Sequence, residues 1–232
     1  MGLFVPTRRR GHELLDDHDI DTATRLRSMG DVSRSNWLFG GRRAALTEVA
    51  AAVEGRRNSL VLDVGTGFGD IPAAVRALGG QRGAPVRTIG LDGSVDLLFT
   101  ARSRLDLAVC GSVTALPFRD RSVDIVLCSQ LLHHFADADL GGVIAELDRV
   151  ARHRVIIADI RRSWIAAAGF WFASWLLRFH PVTRHDGVVS VFRGFTTAEL
   201  RRTVRGATGA APVVRRRAGF RLTASWRPAS VE

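Results

Sequence analysis

The chain has 232 residues, of which 46% are hydrophobic and 24% are charged. This composition is typical of one globular domain and excludes a disordered or fibrous chain. Two cysteines, Cys110 and Cys128, are too few for a disulfide framework or a four-cysteine zinc site. The longest nearly charge-free stretch, residues 163–177, is shorter than the ~20 residues that a membrane-spanning helix needs.

The formal net charge is +10, and all 33 basic residues are arginine. The arginines are scattered, with short runs at residues 8–10 and 215–217. A nucleic-acid surface more often has a dense basic stripe with interleaved aromatic residues. The charge therefore favours codon usage in a GC-rich genome over a polyanionic partner, and no DNA partner is expected.

The first ten residues have no apolar core ahead of their charges, which argues against a secretory signal. Gly2 is present, but Pro6 stands where a myristoylation pattern has Ser or Thr. Together with the free cysteines, these features predict a cytoplasmic location.

Two helical segments open the chain. Hydrophobic residues recur every three to five positions from Leu26 to Trp37, and Gly40 and Gly41 then interrupt the pattern. A second helix is predicted over residues 46–53 and ends at Gly55. We interpret residues 1–58 as an amino-terminal helical cap.

The hydrophobic period then changes to alternating strands and helices. Strands are predicted at 59–64, 86–91, 105–110, 123–128 and 154–160, and helices at 70–78, 95–101 and 139–150. Asp70 is the predicted N-cap of the first of these helices. This alternation predicts a parallel sheet with helices on both faces, in which ligands bind beyond the carboxyl ends of the strands.

The last seventy residues break the alternation. An apolar helical stretch at 163–179 is followed by a predicted helix at 196–204, and strands at 213–217 and 220–226 form a hairpin. The predicted fold is therefore α/β and Rossmann-like. It has a seven-stranded, mostly parallel sheet with helices on both faces and a C-terminal antiparallel hairpin. This domain spans 59–232, with a lid insertion at about 161–195.

A glycine-rich loop follows the first strand directly. Gly65, Gly67 and Gly69 occupy alternate positions, whereas a G-x-G-x-x-G dinucleotide fingerprint has its third glycine one residue later. Asp63 precedes the loop and can organise the turn or meet a cationic ligand group. Asp92 ends the second strand, where a carboxylate can accept both hydroxyls of a ribose.

The strand, the D-x-G-x-G-x-G loop and the acid at the second strand resemble the class I S-adenosylmethionine-dependent methyltransferases. Residues 111–118 (GSVTALPF) and 120–126 (DRSVDIV) resemble the GDAxxLPFxDxSFDxV stretch of that family. The similarity is greatest to its ubiquinone/menaquinone-biosynthesis-like, type 11 branch. Residues 131–135 (LLHHF) are similar to the LHH that follows the fourth strand there. The resemblance covers about residues 60–160.

The resemblance implies S-adenosyl-L-methionine as cofactor. The cofactor-binding residues that it implies are Asp63, Gly65, Thr66, Gly67, Gly69, Asp92, Gly93, Ser112, Val113 and Ser129. The loop would hold the methionine end, Asp92 the ribose and Ser112 the adenine amino group. The family usually has an acid at the position of Ser112.

Methyl transfer is an in-line displacement in which a base helps when the acceptor is a hydroxyl or an acidic carbon. The predicted catalytic residues are His134, which follows the fourth strand, and His185, beside Asp186 in the tail. His133 is a further candidate. No cluster has metal-ligand spacing, so no metal site is predicted, and the N/D/S-P-P-aromatic motif of nucleic-acid amino methyltransferases is absent.

Residues 164–177 are apolar on nearly every helical face. Three interpretations stay open: a lid over an apolar acceptor, a helix on a membrane surface through 163–178, and a core or dimer contact. The first two favour a lipophilic or aromatic acceptor. The sequence therefore predicts methylation of an O or C nucleophile on an apolar small molecule of polyketide, phenol or quinone type. The alternatives are an RNA or protein methyltransferase and a non-catalytic cofactor-binding module.

Overall fold

The computed structural model describes residues 5–9, 11–17 and 19–229. Gly2 and Arg10 lie outside the described residues. The strands in the described part are β1 (Ser59–Val64), β2 (Val86–Asp92), β3 (Leu107–Cys110), β4 (Val123–Ser129), β5 (Ala151–Ile160), β6 (Val213–Arg217) and β7 (Arg221–Trp226). The α-helices there are α1 (Thr22–Leu38), α2 (Gly41–Val53), α3 (Asp70–Gln81), α4 (Val95–Ala101), α5 (Leu140–Val150), α6 (Trp164–Leu176), α7 (Pro181–Arg193) and α8 (Thr197–Thr208).

The strands form a single sheet in the order β3-β2-β1-β4-β5-β7-β6. Strands β1 to β5 pair in parallel, and β7 is antiparallel to both β5 and β6. The predicted fold class is confirmed. The strand order reverses between β1 and β4, so a ligand crevice is expected beyond the carboxyl ends of these two strands.

The central strands are buried on both faces, which explains their continuous apolar sequences. Leu62 packs on the side of α5 and α8, against residues such as Leu147 and Val204. Val61 points to the opposite side and packs with Val49 of α2. The second helix of the predicted cap is therefore part of the layer that covers the sheet. Burial of each such aliphatic side chain contributes ~1.5–3 kcal/mol to the stability of the fold. The loops at the strand ends are therefore attached to a stable, well-packed sheet.

Some element boundaries differ from the prediction. Helix α3 begins at Asp70, and its N-cap is Gly69 with φ 72°, so the prediction of Asp70 as cap was wrong. The carboxylate of Asp70 instead contacts Ser33 Oγ and Arg104 Nη1. Strand β3 begins at Leu107, because Asp106 turns back and its carboxylate accepts the amide of Thr88 at 2.7 Å.

Helix α7 has no counterpart in the sequence prediction. Pro181 opens it, and the side chain of His180 accepts a hydrogen bond from the amide of Val182. Its polar residues Thr183 and Asp186 are buried by contacts with distant segments. Because polar residues are buried, α7 lacks the clear helical spacing of apolar residues on which a prediction from sequence depends. By contrast, the predicted cap of α8 at Thr196 is confirmed, within a reciprocal capping box.

Helix α6 buries its small residues and exposes its large ones. Ala166, Ala167 and Ser174 face inward, whereas Trp164, Ile165, Trp171, Phe172, Trp175 and Leu176 are 43–75% exposed. These six side chains form the aromatic face of α6. For these six side chains, the interpretation of residues 164–177 as buried core is therefore wrong within a single chain. No helix among the described residues is both long and apolar enough to cross a membrane.

Candidate active site

The loop after β1 folds back on the end of β2. The amides of Gly65 and Thr66 both donate to the carbonyl of Leu91, at 2.8 and 3.0 Å. Gly65, Gly67 and Gly69 have φ values of 74°, 53° and 72°, a region that glycine adopts without strain. A Cβ on Gly65 would lie only 2.8 Å from Cδ2 of Leu131. Both conformation and space therefore require glycine at position 65.

Two carboxylates border this loop. Asp92 accepts hydrogen bonds from the amides of Gly67 and Ser94, at 2.9 and 3.0 Å. Asp63 is buried, and Thr66 Oγ1 donates to its Oδ2 at 2.9 Å. Its other oxygen, Oδ1, is buried without a hydrogen-bond partner among the described residues. Burial, with the nearby charge of Asp92, raises the pKa of Asp63 to about 7.

The remaining residues implied by the resemblance lie at neighbouring strand ends. Gly93 follows β2 with open space around it. Ser112 is exposed after β3 and shares a hydrogen bond with Thr114, whereas Val113 is buried in the core. Ser129 ends β4, and its buried hydroxyl has no partner among the described residues.

A cavity of about 400 Å³ opens between the glycine loop, α1 and the pair α6–α7. Gly65, Gly67 and Asp92 border one end of it, so the predicted loop and ribose-binding acid share one space. Its apolar wall includes Met29, Leu131, Ile160, Phe170 and Val191. The described residues that line it include neither Ser112 nor Val113.

Two adjacent histidines after β4 line the cavity. His133 is buried, and its Nδ1 lies 2.7 Å from Oδ1 of Asp159. Burial disfavours an ionised Asp159, but the His133 ring and the hydrogen bonds from His133 and Ile160 hold the pKa of Asp159 below its usual range. The Asp159 carboxylate can only accept, so Nδ1 of His133 is the donor and carries a proton. In the neutral imidazole of His133, the lone pair is then on Nε2.

His134, a predicted catalytic residue, also lines the cavity. Its Nδ1 lies 3.5 Å from Oε2 of Glu13, a buried carboxylate that also pairs with Arg193 Nη1 at 2.9 Å. One donor atom each from Glu13, His133 and His134 lies within 4.8 Å of the other two. Sequence spacing gave no sign of this cluster, since Glu13 is far from the histidines along the chain.

His185, the other predicted catalytic residue, does not line the cavity. Its side chain is about half exposed, and its Nδ1 lies 2.9 Å from Oδ1 of Asp186. Asp186 itself borders the cavity and accepts the amides of Leu14 and Leu15, at 2.8 and 2.9 Å. Asp186 therefore fastens the amino-terminal segment over the site.

Sequence reasoning missed Arg221, the first residue of β7. It is only 6% exposed and lines the same cavity. Burial lowers the pKa of Arg221 to about 10, which leaves it charged at neutral pH. The signal in the sequence was a single charged residue at the start of a strand that is otherwise apolar or small and polar.

Comparisons with known proteins agree with this geometry. A family model described as a methyltransferase domain matches residues 62–158. An uncharacterized methyltransferase of Schizosaccharomyces pombe is 27% identical over 154 residues, which are 63% of this chain and 57% of that protein. The chain thus spans a little over half of this relative.

Solved structures share the fold at low identity. One is a putative methyltransferase of Haloferax volcanii in complex with the Trm112 methyltransferase activator. It is 18% identical, with a TM-score of 0.60 over 91% of this chain and 99% of that one. Another is magnesium protoporphyrin IX methyltransferase from Synechocystis with bound S-adenosylmethionine. It is 12% identical, with a TM-score of 0.55 over 94% of this chain and 89% of that one.

The residues of the loop suit this cofactor. Oδ1 of Asp63 is buried under the loop without a partner among the described residues, and Gly65, Gly67 and Asp92 border a cavity in which a polar ligand can approach the loop. Placement in the ubiquinone/menaquinone-like branch stays a prediction. Residues 62–158 match the methyltransferase-domain family model, and the chain has the fold of solved S-adenosylmethionine-dependent methyltransferases.

Proposed function

We propose that the protein methylates an O or C nucleophile of an apolar small molecule, of the polyketide, phenol or quinone type. The observation that carries this proposal is the single cavity with two unlike ends. One end is the glycine loop with Asp92, and the wall beyond it combines apolar side chains such as Met29, Phe170 and Val191 with the histidines after β4. An apolar acceptor in this space would lie beside the cofactor loop.

S-adenosylmethionine supplies an already activated methyl group when it is bound. The resemblance assigns its methionine end to the glycine loop, its ribose to Asp92 and its adenine to Gly93, Ser112 and Val113. Cε of Met29 lies 3.3 Å from the position of a Cβ at Gly67, so α1 packs closely against the loop beside the cavity. The contribution of the protein is then to align the acceptor and exclude water.

For the proton of the acceptor, we propose His133 as the base. Asp159 holds the Nδ1 proton, so Nε2 of the neutral ring can accept a proton from a hydroxyl or an acidic carbon. The carboxylate then stabilises the imidazolium that forms. His134 is our second proposed base, since it lines the same cavity beside Glu13. A role for His185 would act through Asp186.

The proposed reaction uses no metal. The cluster of Glu13, His133 and His134 has the dimensions of a metal site, but Arg193 already neutralises the carboxylate of Glu13. Activity that survives dialysis against a chelator is the expected result. Activity lost to the chelator and restored by a divalent cation would contradict this part of the proposal.

A methyl-transfer screen tests the proposed function. The purified protein is incubated with S-adenosylmethionine carrying a trideuterated methyl group and a panel of naphthols, hydroxyquinones and polyketide phenols. The expected product is heavier by one labelled methyl group, on oxygen or carbon. Labelling of RNA or protein, with no small-molecule product, would favour the alternative substrates.

We further propose that the aromatic face of α6 contacts an anionic lipid surface. Tryptophans with arginines beside them are typical of helices at a membrane interface. Arg184 lies over the ring of Trp175, 4.0 Å from its centroid, and Arg9 over Trp164, at 5.5 Å. Arg178 follows the helix directly and is exposed.

Vesicle co-sedimentation tests this contact. Binding to phosphatidylglycerol vesicles, and weaker binding to phosphatidylcholine, is the expected result. The triple variant with Trp171→Ser, Phe172→Ser and Trp175→Ser is expected to lose it. Trp37→Ser is the matched control, because Trp37 is a similarly exposed tryptophan on α1. Binding that the triple variant retains, or none by the wild type, would contradict the proposal, as would a dimer that buries this face.

A further inference from the structure

Arg221 places a positive charge inside an otherwise largely apolar wall. It pairs with Ile160 across strands β5 and β7, and its side chain is buried beside Phe170 and Val191 in the cavity lining. Removing a cation from water is unfavourable unless an anion or several acceptors replace the water.

No such replacement exists within the part of the chain that the structure describes. The side chain of Arg221 makes no hydrogen bond or ion pair there, and its buried Nε has no partner. The charge of Asp159 raises the pKa of Arg221, against the larger effect of burial. Asp159 is already engaged by His133 and by the amide of Ile160.

The other carboxylates at the cavity are also engaged. Glu13 pairs with Arg193, and Asp186 accepts two amides of the amino-terminal segment. Asp92 accepts the amides of Gly67 and Ser94. Arg25, the other cation of the lining without a carboxylate partner, donates to the carbonyl of Asp17 at 3.2 Å. Arg221 is more deeply buried and has no partner in the described chain, so its counter-ion has to come from outside it.

A second apolar pocket meets the cavity at this arginine. It has a volume of about 260 Å³, shares Arg221, Phe170 and Val191 with the cavity, and extends to Phe39 and to Ile165 of α6. Arg221 thus stands between the space beside the cofactor loop and a second apolar space. A ligand that reaches both would pass the guanidinium.

We propose that Arg221 binds a carboxylate of the methyl acceptor, which is therefore an amphiphilic acid and not a neutral molecule. This inference rests on the proposed function and adds the substrate's charge to it. A guanidinium presents two parallel donors that match a carboxylate, and such a charge-assisted pair is strongest where water is excluded. One arginine also balances one negative charge, which suits a carboxylate better than a doubly charged phosphate.

Matched acid and amide pairs test the proposal. The pairs are 1-hydroxy-2-naphthoate and its amide, benzoate and benzamide, and decanoate and decanamide, titrated calorimetrically with S-adenosylhomocysteine present. At least one acid is expected to bind about tenfold or more tightly than its amide, because a hydrogen bond between two charged groups is stronger than one to a neutral group. Arg221→Gln is expected to abolish the preference, and Arg221→Lys to keep part of it.

Arg216→Gln is the matched control, because Arg216 lies on the adjacent strand β6 and is exposed. It is expected to leave the acid preference unchanged. Equal binding of acid and amide in every pair, or a preference that survives Arg221→Gln, would overturn the proposal. If S-adenosylhomocysteine itself fails to bind the wild type, the proposed function fails, so the two failures are distinguishable.

A second measurement needs no acceptor. A buried charge without a partner destabilises the folded protein, so Arg221→Met is expected to raise the melting temperature of the ligand-free protein. Arg216→Met should leave it nearly unchanged. A lower melting temperature for Arg221→Met would mean that the arginine has a stabilising partner in the fold, and this would overturn the proposal.

Discussion

The two halves of the candidate active site are built in different ways. On the cofactor side, Asp63 lies near the end of β1, the glycine loop follows β1 directly, and Asp92 ends β2. Their hydrogen bonds join residues at these two adjacent strand ends. On the acceptor side, the contacts join distant segments. Glu13 meets Arg193, and the amides of Leu14 and Leu15 meet Asp186.

The geometry of the cofactor side depends on local sequence, whereas that of the acceptor side depends on how distant segments pack. A loop at the end of a buried strand is specified by its own few residues, so the same motif carries the same geometry in many proteins. A wall formed from an amino-terminal segment, α6 and α7 depends on how they pack. Substrate specificity can therefore change there while the cofactor side stays constant.

A substitution of His133 gives the largest expected difference between the acceptor side and the cofactor side. His133→Ala is expected to lower kcat by about 10²–10³-fold, because it removes the proposed base, while the affinity for S-adenosylhomocysteine stays unchanged. Single-turnover methylation measures the rate, and calorimetric titration with S-adenosylhomocysteine measures the affinity.

His185→Ala is the control for that experiment, because His185 lies outside the cavity lining. The variant is expected to change kcat only slightly. A loss of cofactor affinity in His133→Ala equal to its loss of rate would contradict the division. It would mean that the His133–Asp159 pair supports the loop and not the acceptor.

Gly65→Ala tests the cofactor side, with an intermediate effect. The φ of 74° and the contact with Leu131 are both unfavourable for alanine, and strain of this kind amounts to ~1–3 kcal/mol. We expect about a tenfold weaker affinity for S-adenosylhomocysteine by calorimetry. Gly80→Ala, in open space on α3, is the control and should leave the affinity unchanged. Equal affinity in wild type and Gly65→Ala would show that the loop does not need this conformation.

Asp63 tests the cofactor side through stability and not through binding or rate, because its free-energy contribution depends on pH. Its pKa is about 7 in the folded protein and 3.8 in a model compound. The stability that the protonated carboxyl contributes is fully present below the unfolded pKa and is lost as pH rises towards 7. The free energy of unfolding of the wild type relative to Asp63→Asn should therefore fall between about pH 4 and 7 and level off above.

Denaturant titrations of the two proteins at several pH values measure this difference. The asparagine keeps an acceptor for Thr66, so the loop contact itself is retained. A difference that stays constant over this range would mean that Asp63 is solvated or paired in the folded protein.

The elements around the glycine loop were predicted well because their signals are local. β1, α4 and β6 begin and end where they were predicted, and residues 65–69 connect β1 to α3. The binding roles of these loop residues stay a prediction. Boundaries moved where a side chain took another role, as for Asp70, which contacts Arg104 and leaves the cap to Gly69.

The acceptor side was predicted less well for physical reasons. α7 buries polar residues such as Thr183 and Asp186, so its apolar period is weak. His185 has the sequence context of a catalytic histidine, yet its neighbour Asp186 faces the cavity. Arg221 looks like one more arginine among 33 basic residues until its burial is known.

A calorimetric titration with S-adenosylhomocysteine and, separately, NADH tests whether the loop and Asp92 bind S-adenosylmethionine. It is carried out on the wild type and on Asp92→Ala. We expect S-adenosylhomocysteine alone to bind the wild type, in the micromolar range, and Asp92→Ala to lose this binding. Binding of NADH in its place would contradict the assignment of this cofactor, and undiminished binding in Asp92→Ala would show that the ribose lies elsewhere.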